Sequence, residues 1–392
     1  MGNPLVARMR GFGTTIFAEM SALALSTGAI NLGQGFPDTD GPREMLDAAI
    51  DAINTGRNQY PPGAGVPELL AAIAEHQRRF YGLSVDPTRE VLVTAGATEA
   101  IAAVILGLCE PNDEVVTFEP YYDSYAATIA LAGAVRRTSV LRFPDFAVDE
   151  ESLRAAFSSR TRLVLLNTPH NPTGKVFSAA ELARVAELCQ QWDCLAITDE
   201  VYEHLVYAGA RHARLAQLPG MATRTLTLSS MSKTFSFTGW RIGWVTGPPD
   251  LSRAVRLAHQ FVLDCSATPL QAAAAAALAL DDSYYSELAA SYQLRRDFLA
   301  AALQEAGFEA ALPAAGFFIL AGFGRHDYAD DFAACQHLAA EVGVAAIPPS
   351  AFFTPEHKHL GQRHVRFAFC KSMALLEQAA ERLRRNTRLQ GS

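Results

Sequence analysis

The chain has 392 residues, which is enough for a large hydrophobic core and for two domains. Hydrophobic residues make up 49% and charged residues 19%, as in an ordinary globular protein. The formal net charge of −8 argues against a nucleic-acid-binding protein, which usually carries a basic face.

Targeting and redox signals are weak. The first fifteen residues contain no continuous apolar segment of the kind found in a secretory signal. The most apolar long run, ATPLQAAAAAALAL at residues 267–280, includes a glutamine and is too short to span a bilayer. The six cysteines form no C-x-x-C pair. We therefore expect reduced, buried thiols and a cytoplasmic location.

Short runs rich in β-branched residues alternate with longer helical patterns from residue 91 to residue 247. Strands separated by helices imply crossover connections, and hence a parallel sheet that is buried on both faces. We predict an α/β protein with a mostly parallel, seven-stranded sheet flanked by helices. Six strand patterns can be located in the sequence: VLVT (91–94), EVVTF (114–118), RLVLLN (162–167), CLAITD (194–199), RTLTLSS (224–230) and RIGWVTG (241–247).

The pattern changes after about residue 280. A long helical stretch at 283–307 is followed by FFILA (317–321), HVRFAF (364–369) and a terminal helix near 373–386. This mixture predicts a smaller α+β domain. The first forty residues lack strand–helix alternation and could pack on that domain. We predict a large domain at 40–280 and a small domain formed by 1–39 and 281–392.

Two small-residue turns follow predicted strands. Gly96-Ala97-Thr98-Glu99 opens a helix, where free backbone N–H groups suit an anion such as phosphate, although a plain turn capped by Thr98 explains it equally. The turn at 167–175, NTPHNPTGK, is stiffened by two prolines and holds Asn171 in a fixed direction.

Two further features carry ionisable groups. Asp199 ends a buried strand and begins the sequence DEVY, so its carboxylate must be paired, cap a helix or hold a proton on a ligand nitrogen. Lys233 and Arg241 lie in SSMSKTFSFTGWRIGW (229–244), an apolar setting for two cations. A lysine held there loses proton affinity and can attack a carbonyl, whereas arginine suits a permanent anion.

Each feature alone has an ordinary explanation in loop structure or surface salt bridges. Together they supply an amine nucleophile, a phosphate site, an acid for a ring nitrogen and donors for a ring hydroxyl. That set of groups matches pyridoxal 5′-phosphate, which needs a lysine for its aldehyde and an aspartate for its pyridinium.

In this order, GATEA, NTPHNPTGK, DEVY and SSMSKTFSFTGWRIGW resemble the class I/II aminotransferases with the large two-domain pyridoxal-phosphate fold. The resemblance extends from INLGQGFPD (30–38) to HVRFAFC (364–370). INLGQGFPDTDGP and NQYPPG are typical of a branch that holds kynurenine, glutamine and methionine aminotransferases and actinobacterial N-succinyldiaminopimelate aminotransferases.

The resemblance implies roles for the residues around the cofactor ring. Lys233 would be the covalent attachment point, and Asp199 would pair with the pyridine nitrogen. Asn171 and Tyr202 would hydrogen-bond the phenolic oxygen, while Tyr122 would stack on the ring face. Lys233, Asp199 and Tyr202 are the predicted catalytic residues.

It also implies two anion sites. Arg366 would clamp the substrate α-carboxylate, assisted by the backbone of Gly35 and the side chain of Asn171. Tyr60 would reach the phosphate of the neighbouring subunit, which predicts a homodimer with shared active sites. The predicted phosphate ligands of the same subunit are Ala97, Thr98, Ser230, Ser232 and Arg241.

The implied reaction moves an amino group from an L-amino acid to a 2-oxo acid such as 2-oxoglutarate, in two ping-pong half-reactions through Lys233. Carbon–sulfur β-lyases and some amino-acid oxidases of the same family would use the same residues. An aromatic pocket would suit methionine, glutamine or aromatic donors, whereas an N-succinyl-diaminopimelate donor would want an extra cation, such as Arg8, Arg10 or Arg43. The proposed pocket residues are Phe12, Phe17, Phe36, Tyr122 and Tyr125.

Rival functions fit less well. Ser230-Met-Ser-Lys233 matches the S-x-x-K of penicillin-recognising hydrolases, but the chain has no K-T-G. Gly63-Ala-Gly65 lacks the third glycine of a dinucleotide loop and follows no strand. The pair His357 and His359 is more typical of a polar loop than of a metal site. A DNA-binding regulator would need a module ahead of residue 30, and we predict no metal.

Overall fold

The computed structural model describes residues 4–390; residues 1–3, the start of the segment assessed for a secretory signal, and 391–392 lie outside it. The helices are α1 (Ile16–Thr27), α2 (Arg43–Asn54), α3 (Pro67–Tyr81), α4 (Gly96–Leu108), α5 (Ser124–Leu131), α6 (Glu150–Ala155), α7 (Ala179–Gln191), α8 (Met231–Thr234), α9 (Pro249–Val262), α10 (Thr268–Leu278), α11 (Asp282–Glu305), α12 (Asp331–His337) and α13 (Met373–Gln390). The strands are β1 (Ile30–Asn31), β2 (Val91–Thr94), β3 (Glu114–Glu119), β4 (Val135–Arg142), β5 (Ala147–Val148), β6 (Thr161–Asn167), β7 (Leu195–Asp199), β8 (Thr225–Ser230), β9 (Gly243–Thr246), β10 (Glu309–Ala310), β11 (Phe318–Gly322), β12 (Val344–Ala345) and β13 (His364–Ala368).

The large sheet has the strand order β2-β9-β8-β7-β6-β3-β4-β5. Strands β4, β3, β6, β7 and β8 run parallel to one another. Strand β9 is antiparallel to both its neighbours, β8 and β2, and β5 is antiparallel to β4. The central strands are buried almost throughout, because helices cover both faces. The predicted α/β class and mostly parallel sheet are confirmed.

The sheet contains eight strands rather than the predicted seven. The additional edge strand, β5, is only two residues long, so it shows no alternation of apolar and polar residues. Its neighbour β4 also lacks a strand-like hydrophobic run, because Arg136, Arg137 and Arg142 interrupt it and its first half is partly exposed. Because β5 pairs only with Leu141 and Arg142, most of β4 lies at the sheet edge, where such charges are expected.

The N-terminal and C-terminal segments meet outside this sheet. Strand β1 pairs in parallel with β12, and β10, β11 and β13 form a separate antiparallel sheet. One apolar core joins these elements, with Leu32 from the N-terminal segment and Phe317 and Phe367 from the C-terminal one. The predicted helices near 283–307 and 373–386 correspond to α11 and α13. The division into domains at residues 40 and 280 stays a prediction.

Local sequence explains several helix ends. Ser178 and Glu181 form a reciprocal capping box at the start of α7, which satisfies two free N–H groups. Gly82 ends α3 in the left-handed conformation that glycine adopts without strain. No helix within residues 4–390 combines the length and apolarity needed to cross a membrane. All six cysteines are free thiols; Cys109 and Cys265 are half-buried rather than buried as expected.

Candidate active site

Three neighbouring parallel strands end at one edge of the sheet: β6 at Asn167, β7 at Asp199 and β8 at Ser230. Parallel sheets place ligands at this carboxyl edge. The strand ends line a cavity of about 530 Å³. Among the residues predicted from the sequence, the cavity is lined by Ala97, Thr98, Tyr122, Tyr125, Asn171, Asp199, Tyr202, Ser230, Ser232, Lys233 and Arg241.

Lys233 lies on the short helix α8, directly after β8. Its Nζ donates a hydrogen bond to the carbonyl oxygen of Gly35 at 3.1 Å and lies 5.2 Å from the ring centroid of Phe317. Burial, helped by the charges of Arg241 and Arg366, lowers the pKa of Lys233 to about 8. A fraction of this amine is therefore neutral near pH 7, as a nucleophile or a base must be.

Asp199 is held from two sides at the end of β7. Its Oδ2 accepts a hydrogen bond from the hydroxyl of Tyr125 at 2.6 Å, and its backbone carbonyl accepts one from the side chain of Asn167 at 2.8 Å. Burial raises the pKa of Asp199, while the bonds from Tyr125 and from the backbone of Val201 oppose that shift. A carboxyl group so oriented suits a basic ring nitrogen.

Two residues that hold this arrangement were missing from the predicted site. Tyr125, which we expected only in the substrate pocket, lines the cavity, is 3% exposed and also orients Asp199. Asn167 also accepts the backbone N–H of Asn171 at 2.7 Å, and so shapes the turn that follows β6. The signals available were the position of Asn167 at the start of a rigid turn and the position of Tyr125 nearly one helical turn after Tyr122.

An anion cradle forms where α4 begins. Arg241 Nη2 donates to the hydroxyl of Thr98 at 3.4 Å. A Cβ at Gly96 would lie 2.6 Å from Arg241 Nη2, and a Cβ at Gly243 would lie 2.8 Å from the backbone nitrogen of Ala97. Glycine at position 96 therefore permits the guanidinium of Arg241 to approach the first turn of α4. Glycine at position 243 permits strand β9 to approach the same turn. The converging N–H, hydroxyl and guanidinium groups match a phosphate.

The hydroxyl of Ser232 lines the same cavity. It is buried and has no hydrogen-bond partner among the described residues. Buried hydroxyl groups are normally paired, so this group is available to a ligand.

Arg366 lies on β13 and points toward the turn after β6. Its Nη1 donates to Asn171 Oδ1 at 3.2 Å and its Nη2 to the carbonyl oxygen of Gly33 at 2.8 Å. Its Nε is buried without a partner in the described part of the chain. Burial lowers the pKa of Arg366 to about 10, which still leaves it charged near neutral pH. A buried cation with a free donor suits a carboxylate.

Aromatic rings surround the guanidinium of Arg366. The ring centroids of Phe318, Phe352 and Phe17 lie 3.9, 5.0 and 5.2 Å from its Cζ. Phe17 also lies 6.3 Å from the ring of Tyr122, so these rings form one aromatic wall. Of the other predicted pocket residues, Phe12 is half-buried and Phe36 is 45% exposed.

The three arginines considered for an acidic substrate do not line the cavity. Arg43 pairs with Asp47 at the surface, Arg10 Nε donates to the carbonyl oxygen of Leu5, and Arg8 is exposed.

Tyr60 stands apart from the other predicted residues. It is 87% exposed and lines a separate concavity formed by residues 58–61 and 265–269. His357 and His359 also lie outside the site, and each has a different hydrogen-bond partner. His357 Nδ1 lies 2.6 Å from Glu119 Oε2, and His359 Nδ1 lies 3.1 Å from the carbonyl oxygen of Glu356.

Comparison with known proteins decides the family. The family model for class I and II aminotransferases matches residues 27–383. The chain belongs to the class I and II aminotransferases. This confirms the family indicated by the four motifs, and it makes the protein an enzyme. Aminotransferases of this family use pyridoxal 5′-phosphate.

Relatives in the indicated branch match over nearly the whole chain. A probable N-succinyldiaminopimelate aminotransferase of Mycobacterium tuberculosis is 50% identical, with 96% of this chain and 97% of the relative covered. A methionine aminotransferase of Escherichia coli is 41% identical, with 97% and 99% covered. The solved structure of the Mycobacterium tuberculosis N-succinyldiaminopimelate aminotransferase matches with a TM-score of 0.94 at 50% identity, covering 97% of this chain and 99% of that one.

Proposed function

We propose that this aminotransferase uses pyridoxal 5′-phosphate, bound through Lys233, to move an amino group from an L-amino acid to a 2-oxo acid. One observation carries the proposal: the amine of Lys233, with its lowered pKa, lines the same cavity as Asp199 and the anion cradle around Arg241. Membership of the class I and II aminotransferases supports the same function.

The groups around the cavity fit the cofactor. The first turn of α4, Thr98, Arg241 and the unpaired hydroxyl of Ser232 would hold its phosphate. Asp199 would pair with its ring nitrogen, because the carboxyl group already has a fixed direction. Asn171 and Tyr202 would donate to its phenolic oxygen, and Tyr122 would cover one face of the ring. When bound, the cofactor supplies an aldehyde that exchanges for the amino group and a ring that accepts electrons released at the substrate Cα.

Lys233 has two tasks in this scheme. Its neutral amine would hold the cofactor until the amino group of a substrate took its place. The same Nζ would then take the proton from the substrate Cα, for which a pKa of about 8 is well placed. Asp199 would keep a proton on the ring nitrogen, which would favour the withdrawal of electrons from Cα.

Arg366 fixes the substrate. Its buried guanidinium would bind the α-carboxylate by charge-assisted hydrogen bonds and so set the direction of the Cα–H bond. Asn171 supports the same guanidinium through its Oδ1. The amino acid leaves as a 2-oxo acid before a second 2-oxo acid enters, so the kinetics should be ping-pong.

The donor is expected to carry a neutral or apolar side chain. Each of the three cations at the site has a task in the scheme: Lys233, Arg241 and Arg366. The wall beside the carboxylate position is aromatic. Methionine, glutamine and aromatic amino acids therefore fit this subunit's groups best. An N-succinyl-diaminopimelate donor is the second candidate, because the relative at 50% identity is named for that substrate.

A panel of amino donors, each tested with 2-oxoglutarate and with pyruvate, separates these donors. We expect methionine, glutamine or phenylalanine to give the highest kcat/KM, because burial of a side-chain carboxylate without a paired cation is costly. Spectroscopic changes of the cofactor report each half-reaction. Preference for the N-succinylated donor by tenfold or more would contradict this assignment and favour the second candidate.

A β-lyase or an oxidase would use the same site residues. Release of pyruvate and ammonia from a cysteine conjugate would reveal the lyase, and consumption of oxygen would reveal the oxidase. Family membership and the names of the relatives favour neither activity.

We further propose a homodimer in which Tyr60 completes the phosphate site of the partner. Tyr60 does not line the cavity of its own subunit and is 87% exposed. Phe261 and Val262, which lie close in sequence to the same concavity, are 84% and 54% exposed. A patch of large exposed apolar side chains is one mark of a surface that a second chain covers.

Mixing of inactive subunits tests the shared site. Tyr60→Ala subunits exchanged with Lys233→Ala subunits should regain activity at limiting cofactor, because each hybrid dimer has one site with both residues. The control pairs Lys233→Ala with Arg366→Ala, two residues of one site, and should gain nothing. If the first mixture is no more active than the mean of the two unmixed variants, Tyr60 does not act across an interface.

A further inference from the structure

A buried polar cluster lies behind the cavity, next to the turn that carries Asp199 and Tyr202. Its centre is Glu203, whose side chain is 2% exposed. Glu203 Oε1 accepts a hydrogen bond from the hydroxyl of Ser229 at 2.6 Å. Glu203 Oε2 accepts bonds from the hydroxyl of Tyr81 at 2.6 Å and from Arg214 Nη2 at 2.5 Å. Both oxygens are therefore hydrogen-bonded, Oε2 twice.

Arg214 ties the cluster together. It lies between two carboxylates, with its Nε 2.8 Å from Glu200 Oε2, and its guanidinium stacks 3.3 Å from the ring centroid of Tyr81. Although burial opposes ionisation, the charge of Arg214 holds the pKa of Glu203 well below its usual value. Buried ion clusters are a weak source of stability because desolvation offsets their attraction. What this cluster provides is a fixed geometry.

The cluster is not arranged as a metal centre. His76, Glu203 and His204 place possible ligand atoms within 4.8 Å of one another. However, the Nε2 atoms of the two histidines are hydrogen-bonded to each other at 2.7 Å, closer than two ligands of one tetrahedral ion. Burial lowers the pKa of His76 and lowers that of His204 to about 3, so both rings are neutral.

Strand β8 has an incomplete ladder where it meets the cavity. Its pairing with β7 ends at Leu228, opposite Asp199. Ser229 and Ser230 pair only with β9 on the other side. Side chains alternate along a strand, so Ser230 lines the cavity while Ser229 turns toward Glu203. On the side of β8 that faces β7, backbone pairing has ended at this point. The side-chain hydrogen bond from Ser229 to Glu203 takes its place.

We infer that Glu203 is a positioning residue for the cofactor site, acting through Ser229. It joins the turn of Asp199 and Tyr202 to the last residues of β8, and so sets where Ser230 and the following Lys233 stand relative to Asp199. Arg214 keeps its carboxylate in place. This inference rests on the proposed binding of pyridoxal 5′-phosphate at Lys233.

Two substitutions distinguish a role of Glu203 in positioning the cofactor site from a contribution to stability alone. Ser229→Ala and Tyr81→Phe each remove one 2.6 Å hydrogen bond to Glu203, but only Ser229 lies on the strand that leads to the cavity. The cofactor is removed from each purified protein, and its rebinding is titrated by fluorescence. Thermal unfolding of each cofactor-free protein is measured alongside.

We expect both variants to lose similar stability, since each leaves the same carboxylate with one bond fewer. Ser229→Ala should weaken rebinding of pyridoxal 5′-phosphate about tenfold, whereas Tyr81→Phe should stay within about twofold of the wild type. Ser229→Thr, which keeps the hydroxyl, should restore the affinity.

Equal cofactor affinities for Ser229→Ala and the wild type would overturn the inference. Equal losses of cofactor affinity in Ser229→Ala and Tyr81→Phe would also overturn it. A wild-type protein that binds no pyridoxal 5′-phosphate would instead overturn the proposed function. The two failures are therefore distinct.

Discussion

Replacing Lys233 with alanine is expected to reduce turnover by more than about a thousandfold, because the variant loses both the attachment point and the base for the Cα proton. The loss should appear in kcat for every donor, while the protein stays folded. Single-turnover rates, circular dichroism and thermal unfolding check the three parts of this expectation.

Lys233→Arg is the matched control. It keeps a cation in the cavity, but a guanidinium does not lose its proton near neutral pH. If the lysine acts only as a charge, the arginine variant should retain most of the activity. If the neutral amine acts, as the lowered pKa of Lys233 indicates, the arginine variant should be as inactive as the alanine variant. Near-native turnover of either variant would show that Lys233 is not the reacting group.

Replacing Arg366 with alanine is expected to raise KM for the amino donor and the oxo-acid acceptor alike. A hydrogen bond to a charged group contributes about 1.5–3 kcal/mol, which corresponds to roughly a 10- to 100-fold loss of binding. Both substrates carry an α-carboxylate, so both KM values should rise. Steady-state kinetics with each substrate varied in turn measures the two effects.

Arg363→Ala is the control for this substitution. Arg363 is three residues earlier, donates to the carbonyl oxygen of Tyr328 and packs on Phe323. Its removal should leave both KM values near those of the wild type. An Arg366→Ala enzyme with unchanged KM for both substrates would rule out a carboxylate clamp at this position.

The sheet and most of the cavity could be predicted because their signals are local. Buried central strands such as β6 and β7 show continuous apolar runs, and the residues that end them fall at one edge of a parallel sheet. Strand β4 escaped prediction because Arg136, Arg137 and Arg142 belong to a sheet edge, where packing does not require apolar residues.

The supports of the site could not be predicted, because they are contacts between distant parts of the chain. Tyr125 is separated by 74 residues from Asp199, and its ring gives no sign that its hydroxyl meets that carboxyl group. Glu203 follows the DEVY sequence directly, yet its partners Tyr81 and Ser229 come from other elements. The pattern of apolar residues predicts which residues are buried. It does not predict which buried polar groups form hydrogen bonds with each other.

Identification of the lysine that holds the cofactor tests the account most directly. The chain contains four lysines: Lys175, Lys233, Lys358 and Lys371. Protein saturated with pyridoxal 5′-phosphate is reduced with borohydride, digested and analysed by mass spectrometry. We expect a stoichiometric phosphopyridoxyl group on Lys233 alone. The account is contradicted if no group is incorporated, or if it is found on Lys175, Lys358 or Lys371 while Lys233 stays unmodified.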